Sequence, residues 1–199
     1  MRRFLVLALI LVVSLIAGCA GQVPTYTLTV RSAVGGSLST PSIHICNEGS
    51  VVDIQAPIEE GLRFDSWTGD VATITDTNAA STTITMNKDC TITANFLKIY
   101  TDDEKAIGID VNQKFIIALE SNPTTGYSWQ ESLDETMVEL LKSEYELGED
   151  AQKGVAGAGG NDLFWFKTLK KGLTKITLVY KRPWETEIAE QKVFTIILK

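Results

Sequence analysis

Few side chains in this 199-residue sequence could act as nucleophile, base or metal ligand, and their spacing does not set them to work together. His44 is the only histidine and stands between Ile43 and Ile45, a setting in which an imidazole packs more often than it catalyses. Cys46 and Cys90 are the two thiols outside the first 19 residues. In an oxidising compartment two such cysteines can pair. A disulfide between them is the expectation, with two reduced, half-buried thiols as the alternative. Asp65, Asp70 and Asp76 are not spaced as in a calcium-binding loop, and aspartates are common at turns, so no metal is expected. No metal-ligand cluster or phosphate loop is present. The chain is therefore not expected to be an enzyme, and no catalytic residue or cofactor is assigned.

The remaining chemistry is recognition. Ser121-Asn122-Pro123-Thr124-Thr125-Gly126-Tyr127-Ser128-Trp129 joins a proline, which fixes φ, to a glycine, which tolerates φ > 0. Apolar alternating residues flank it, so it reads as a stiff loop between two strands; composition alone fits a plain hairpin turn with a core tryptophan behind it. A second loop, from Gly148 to Asn161, holds Gly154, Gly157, Gly159 and Gly160, where backbone can approach a partner closely. Its length and glycine content lead to the expectation of a mobile segment. A third begins Arg182-Pro183-Trp184-Glu185. It offers a cation, a rigid turn and a large aromatic, and tryptophan and arginine are the residues most enriched at binding hot spots.

These three stretches need a scaffold, and the alternation around them supplies one. Residues 99–199 contain seven apolar runs, at 107–111, 114–119, 127–130, 138–147, 163–168, 173–181 and 192–198. The fourth has some helical spacing at Val138, Leu141 and Tyr145, but the alternation of Leu141, Ser143, Tyr145 and Leu147 makes it a strand. Seven short strands with regularly spaced turns predict an immunoglobulin-like sandwich. Phe115, Trp129, Phe164, Phe166, Ile176, Leu178, Phe194 and Ile196 are its expected core. An antiparallel chain reverses at each turn, so the proline, glycine and tryptophan loops all project from one end.

The N-terminal half divides in two. Residues 1–19 read as a lipoprotein signal peptide: Arg2-Arg3, an apolar run from Phe4 to Ile16, then Leu15-Ile16-Ala17-Gly18-Cys19. The run is too short to span a membrane comfortably, and Cys19 is the expected site of lipidation after cleavage. Residues 25–98 hold further alternating runs, at 26–30, 51–56, 61–70, 82–86 and 91–96. The whole chain is expected to be all-β, the C-terminal sandwich preceded by a small β-rich, grasp-like module. With 18 basic against 25 acidic residues and a charge of -7, no basic stripe is available to neutralise phosphates, and nucleic acid is not an expected partner.

Gly35-Gly36, Phe64-Asp65-Ser66-Trp67-Thr68-Gly69-Asp70, Thr82–Met86 and Thr91–Phe96 resemble the divergent internalin B-repeat-like modules of bacterial surface proteins. That resemblance implies a stalk or adhesive unit. Asn122-Pro123-Thr124-Thr125-Gly126-Tyr127, Gly157-Ala158-Gly159-Gly160 and Arg182-Pro183-Trp184, in that order, resemble the chagasin family of cysteine-protease inhibitors. The second resemblance implies reversible inhibition of papain-like proteases. It places Thr124 nearest the catalytic cysteine with Thr125 beside it, the glycine loop along one side, and Arg182 and Trp184 on the other. Asn122, Pro123, Gly126, Tyr127, Gly157, Gly159, Gly160 and Pro183 complete the expected protease-binding set. The expected protein is an extracytoplasmic, lipid-anchored monomer on a bacterial membrane, at the cell surface or in the periplasm. An adhesive or ligand-binding surface lipoprotein without inhibitory activity is the alternative.

Overall fold

The computed structural model describes residues 23–199; the expected signal peptide, residues 1–19, and the expected lipidation site Cys19 lie outside the described residues. Seven strands form the first half: β1 (Thr25–Val34), β2 (Ser37–Leu38), β3 (Ser42–Asn47), β4 (Val51–Gln55), β5 (Leu62–Gly69), β6 (Ser81–Thr85) and β7 (Cys90–Tyr100). Seven more form the second: β8 (Ile107–Ile109), β9 (Lys114–Ser121), β10 (Ser128–Leu133), β11 (Val138–Leu147), β12 (Gly160–Thr168), β13 (Gly172–Lys181) and β14 (Glu190–Leu198). One helical turn, α1 (Glu149–Gln152), lies between β11 and β12.

In the second half, period-two alternation sorts the strands into two facing layers. β10, β13, β14 and β8 form one sheet; β11, β12 and β9 form part of the other. This is the immunoglobulin-like sandwich, and the eight expected core residues are all buried inside it, joined by Ile107, Ile109, Ile117, Leu119, Val138 and Leu198. The expected strand 138–147 is β11, paired along its length with β12.

The first half has a smaller core of its own, built on Leu28, Ile54, Trp67, Ile84, Met86, Ile92 and Phe96. β1 runs parallel to β7 and antiparallel to β3, while β5 pairs antiparallel with β7. The β4–β6 ribbon is a separate two-stranded sheet.

Sequence periodicity and structure part company in three places. β3 has no forerunner among the expected strands: five of its six residues are exposed, on both faces and including Ile43 and Ile45, so burial leaves no alternation to read. β7 does not stop at Phe96 or at a boundary after Lys98. It continues to Tyr100 and pairs Ile99 and Tyr100 with Ile116 and Ile117 of β9, so one eight-stranded sheet runs through both halves. The third difference is a correction. Cys46 and Cys90 are free, because Cys46 faces Tyr26 across one edge of β1 and Cys90 faces Leu28 across the other. Two inter-strand spacings, about 10 Å, separate them, beyond the roughly 7 Å Cα reach of a disulfide.

At the end of the sandwich far from the proline loop, Thr168 is fully buried. Its hydroxyl donates to the Asp110 carbonyl at 2.7 Å and accepts from the Gln113 N–H at 3.0 Å. Thr168→Val keeps the shape and removes both bonds. It should cost about 1–3 kcal/mol in denaturant unfolding while leaving the opposite end of the sandwich unchanged.

Candidate functional site

The proline loop leaves β9 after Ser121 and makes a single 3-10 turn over Pro123–Thr125. Proline sits at the start of the turn, where its fixed φ fits and its missing N–H is no loss. Asn122 caps it: its side-chain oxygen accepts from the Thr124 N–H at 3.2 Å and from the Thr124 hydroxyl at 2.6 Å. The Thr125 hydroxyl donates to the Asn122 carbonyl at 2.6 Å. Both threonine hydroxyls are thus spent on holding the turn. Gly126 ends it at φ 80°, a left-handed conformation that glycine adopts without steric cost. Pro123, Thr124 and Thr125 stand exposed at the tip.

Beneath the loop lies an aromatic stack. The Tyr180 ring sits between Tyr127 (centroids 5.4 Å apart) and Trp129 (5.0 Å), and its hydroxyl accepts the Asn122 N–H at 2.9 Å. Trp129 is in the core, as its place in the alternation implies, and its indole N–H donates to the Glu120 carbonyl at 2.9 Å.

The glycine loop, expected to be mobile, is folded back on itself. The Gly148 N–H meets the Gly159 carbonyl at 3.1 Å, Gln152 Nε2 donates to the Leu147 carbonyl at 2.9 Å, and α1 occupies the first part of the segment. Gly159 is dictated by space: a Cβ there would stand 2.7 Å from the Ser121 carbonyl oxygen, at the root of the proline loop. A Cβ on Gly160 would collide with the Glu146 carbonyl. Gly157 has open space around it but a φ of 77°, and its carbonyl accepts from Asn122 Nδ2 at 2.8 Å.

On the other flank, Arg182 Nε donates to the Thr125 carbonyl at 3.2 Å. The Arg182 guanidinium lies 4.6 Å above the Tyr127 ring and pairs with Glu185 at 3.0 Å. The Glu185 hydrogen bond holds Arg182 above the usual arginine range, with burial pulling the other way. Trp184 reaches across the loop so that its Cη2 stands 3.1 Å from where a Cβ on Gly126 would be, yet it is 72% exposed. A large, flat, apolar side chain is left facing solvent.

The structure therefore gathers Asn122 to Tyr127, Gly157, Gly159, Gly160 and Arg182 to Trp184 at one end of the sandwich. Two direct hydrogen bonds join the flanking loops to the central one. His44, Cys46 and Cys90 lie in the other module. Each of the three aspartates already has a protein partner: Asp65 with Lys114, Asp70 with Lys88 and the Thr91 N–H, Asp76 with the Asn78 N–H. The Thr91 hydrogen bond and then Lys88 hold Asp70 below the usual carboxylate range. Among the described residues no group of three or more histidines, cysteines or carboxylates is placed to hold a metal. The motifs did not point to Tyr180, nor to Leu147, Val155 and Ile188, which add exposed apolar surface in or beside the flanking loops.

Residues 108–198 match the model of the chagasin family peptidase inhibitors (I42), and residues 26–100 match the divergent InlB B-repeat domain. Amoebiasin-2 of Entamoeba histolytica is 33% identical over 104 residues, 48% of this chain and 79% of that protein. Chagasin of Trypanosoma cruzi is 32% identical over 97 residues, 46% of this chain and 84% of that protein. The chain belongs to the chagasin family. Chagasin-family members are inhibitors of peptidases, not enzymes. Among solved structures, a cysteine protease inhibitor from Entamoeba histolytica aligns with a TM-score of 0.44 at 26% identity, over 51% of this chain and 93% of that one.

Gly126→Ala tests the packing of the chagasin-type proline loop. A left-handed alanine costs about 1–2 kcal/mol, and its methyl pushes the Trp184 ring aside. A fall in thermal midpoint together with a change in Trp184 fluorescence is the expected outcome.

Proposed function

We propose that this protein inhibits papain-like cysteine proteases by plugging the active-site cleft with the proline, glycine and tryptophan loops. The observation that carries the reading is the joining of three motif-bearing loops at one end through the Asn122–Gly157 and Arg182–Thr125 hydrogen bonds. A papain-like protease holds its cysteine–histidine pair within a cleft. A blocker must fill that cleft without offering an extended peptide bond for attack. The Pro123–Thr125 turn meets this demand, since its backbone is coiled and its hydroxyls are already engaged.

In this reading Thr124 stands nearest the catalytic cysteine and Thr125 beside it. Gly157, Gly159 and Gly160 run along one wall of the cleft. Arg182, Pro183 and Trp184 meet the other, with Trp184 laid on an aromatic or apolar surface of the protease. Because the loops are joined before binding, little ordering entropy is lost on association.

The same proposal includes attachment to a bacterial membrane through acyl chains on Cys19. The sequence Leu15-Ile16-Ala17-Gly18-Cys19 supports it, and more than one acyl chain gives stable anchoring where a single chain does not.

Titrating the whole chain against papain tests inhibition. Trp184→Ala should weaken the inhibition constant by about 30-fold, or ~2 kcal/mol. Leu173→Ala, exposed at the opposite end of the sandwich, should leave it unchanged. No inhibition at micromolar chain would favour the adhesive alternative. For the anchor, expression in a bacterium fed labelled palmitate should label the parent protein and leave Cys19→Ala unlabelled and released from the membrane fraction.

A further inference from the structure

The junction between the two halves carries a role for the first module. β7 gives Cys90, Ile92, Ala94 and Phe96 to the first core, and Tyr100 packs edge-on against Phe115 of the sandwich core. On the opposite face of the sheet, Leu97 of β7 joins Ile116 of β9 and Leu163 and Trp165 of β12 in a third buried cluster. Arg63 of β5 and Lys142 of β11 cover the Trp165 ring, at 5.4 and 4.1 Å from its centroid. Arg63 also pairs with Glu146, and Asp65 with Lys114, so two ion pairs cross from one half to the other. Hydrogen-bonded backbone, a buried apolar cluster and paired charges all oppose bending at this junction.

Strand register then sets the positions of the two poles. Leu28 stands opposite Cys90 and Ile117 opposite Tyr100, both in parallel pairs. Counted along β7, Thr25 lies three steps before Cys90 and Asn122 five steps beyond Tyr100. At about 3.3 Å per residue, less some shortening by twist, the start of β1 and the proline loop are roughly 50–60 Å apart at opposite ends of one sheet.

We infer that residues 25–100 are a rigid strut that holds the three-loop edge roughly 50–60 Å from the start of β1 and facing away from it. A surface-anchored inhibitor built this way meets a protease clear of the lipid headgroups. The inference rests on the proposed inhibitory edge and anchor, but its geometry is measured independently of both.

The test is a spin-label distance across the full chain in detergent, carrying Cys19→Ser and Cys46→Ser. Labels are placed at Asn87→Cys, in the turn before β7, and Glu120→Cys, at the end of β9; both positions are exposed, and Cys90 is too buried to react. A single narrow distribution near 50 Å is expected. It should broaden in Arg63→Ala combined with Trp165→Ala, and also in the milder Arg63→Ala with Lys114→Ala, which removes both crossing ion pairs without opening the core. A broad or two-peaked distribution in the parent protein, a separation under about 35 Å, or a distribution unmoved by either variant pair would overturn the strut. Papain inhibition measured on the unlabelled parent protein separates the two readings. A narrow long distance without inhibition counts against the inhibitory edge alone; inhibition with a broad distance counts against the strut alone.

Discussion

The backbone hydrogen bonds of β7 are the constraint on which the rest of the molecule depends. This strand pairs with β1 and β5 in the first half and with β9 in the second. Its side chains feed three buried clusters on two faces of the sheet. A slip of one residue would send every side chain to the wrong face: Phe96 would leave the first core, and Leu97 and Ile99 would leave the patch behind Trp165. Either half therefore constrains the register of the other. The pairs involved are distant in sequence, since β1 waits some sixty residues for β7, and such pairings are entropically slow to close.

At the loop end the same economy recurs with side chains. Asn122 caps the 3-10 turn with its oxygen and reaches Gly157 with its nitrogen, so one amide both shapes the central loop and fastens a neighbour to it. Arg182 does the equivalent on the other flank, bonding the Thr125 carbonyl while lying over Tyr127. The glycines divide by physical role. Gly159 and Gly160 lack room for a Cβ, whereas Gly126 and Gly157 are held at positive φ. Trp184 is left as the large apolar group with little of its own fold to cover it.

Much of the sandwich is legible in the sequence because its signals are local. Alternation located seven strands, and counting reversals put three odd loops at one end. Phe115, Trp129 and Phe166 announced their burial by their places in those alternations. What stayed hidden depends on contacts between distant residues or on faces that carry no pattern. Leu163-Phe164-Trp165-Phe166 is apolar on both faces because the outer one is also covered, but the residues covering it, Arg63 and Lys142, lie far away in sequence. β3 is exposed on both faces. The cross-loop bonds of Asn122 and Arg182 join residues 35 and 57 positions apart. The disulfide expectation failed for a related reason: both cysteines lie on strands beside β1, and only the sheet order shows that β1 comes between them.

The free thiols have a consequence for how the protein is made. Many small exported domains reach the native state only after an oxidase has joined their cysteines. Here backbone pairing and buried side chains hold the two halves together, and neither Cys46 nor Cys90 is committed to a cross-link. With no disulfide among the described residues, a thiol reductant finds no cross-link of this fold to break.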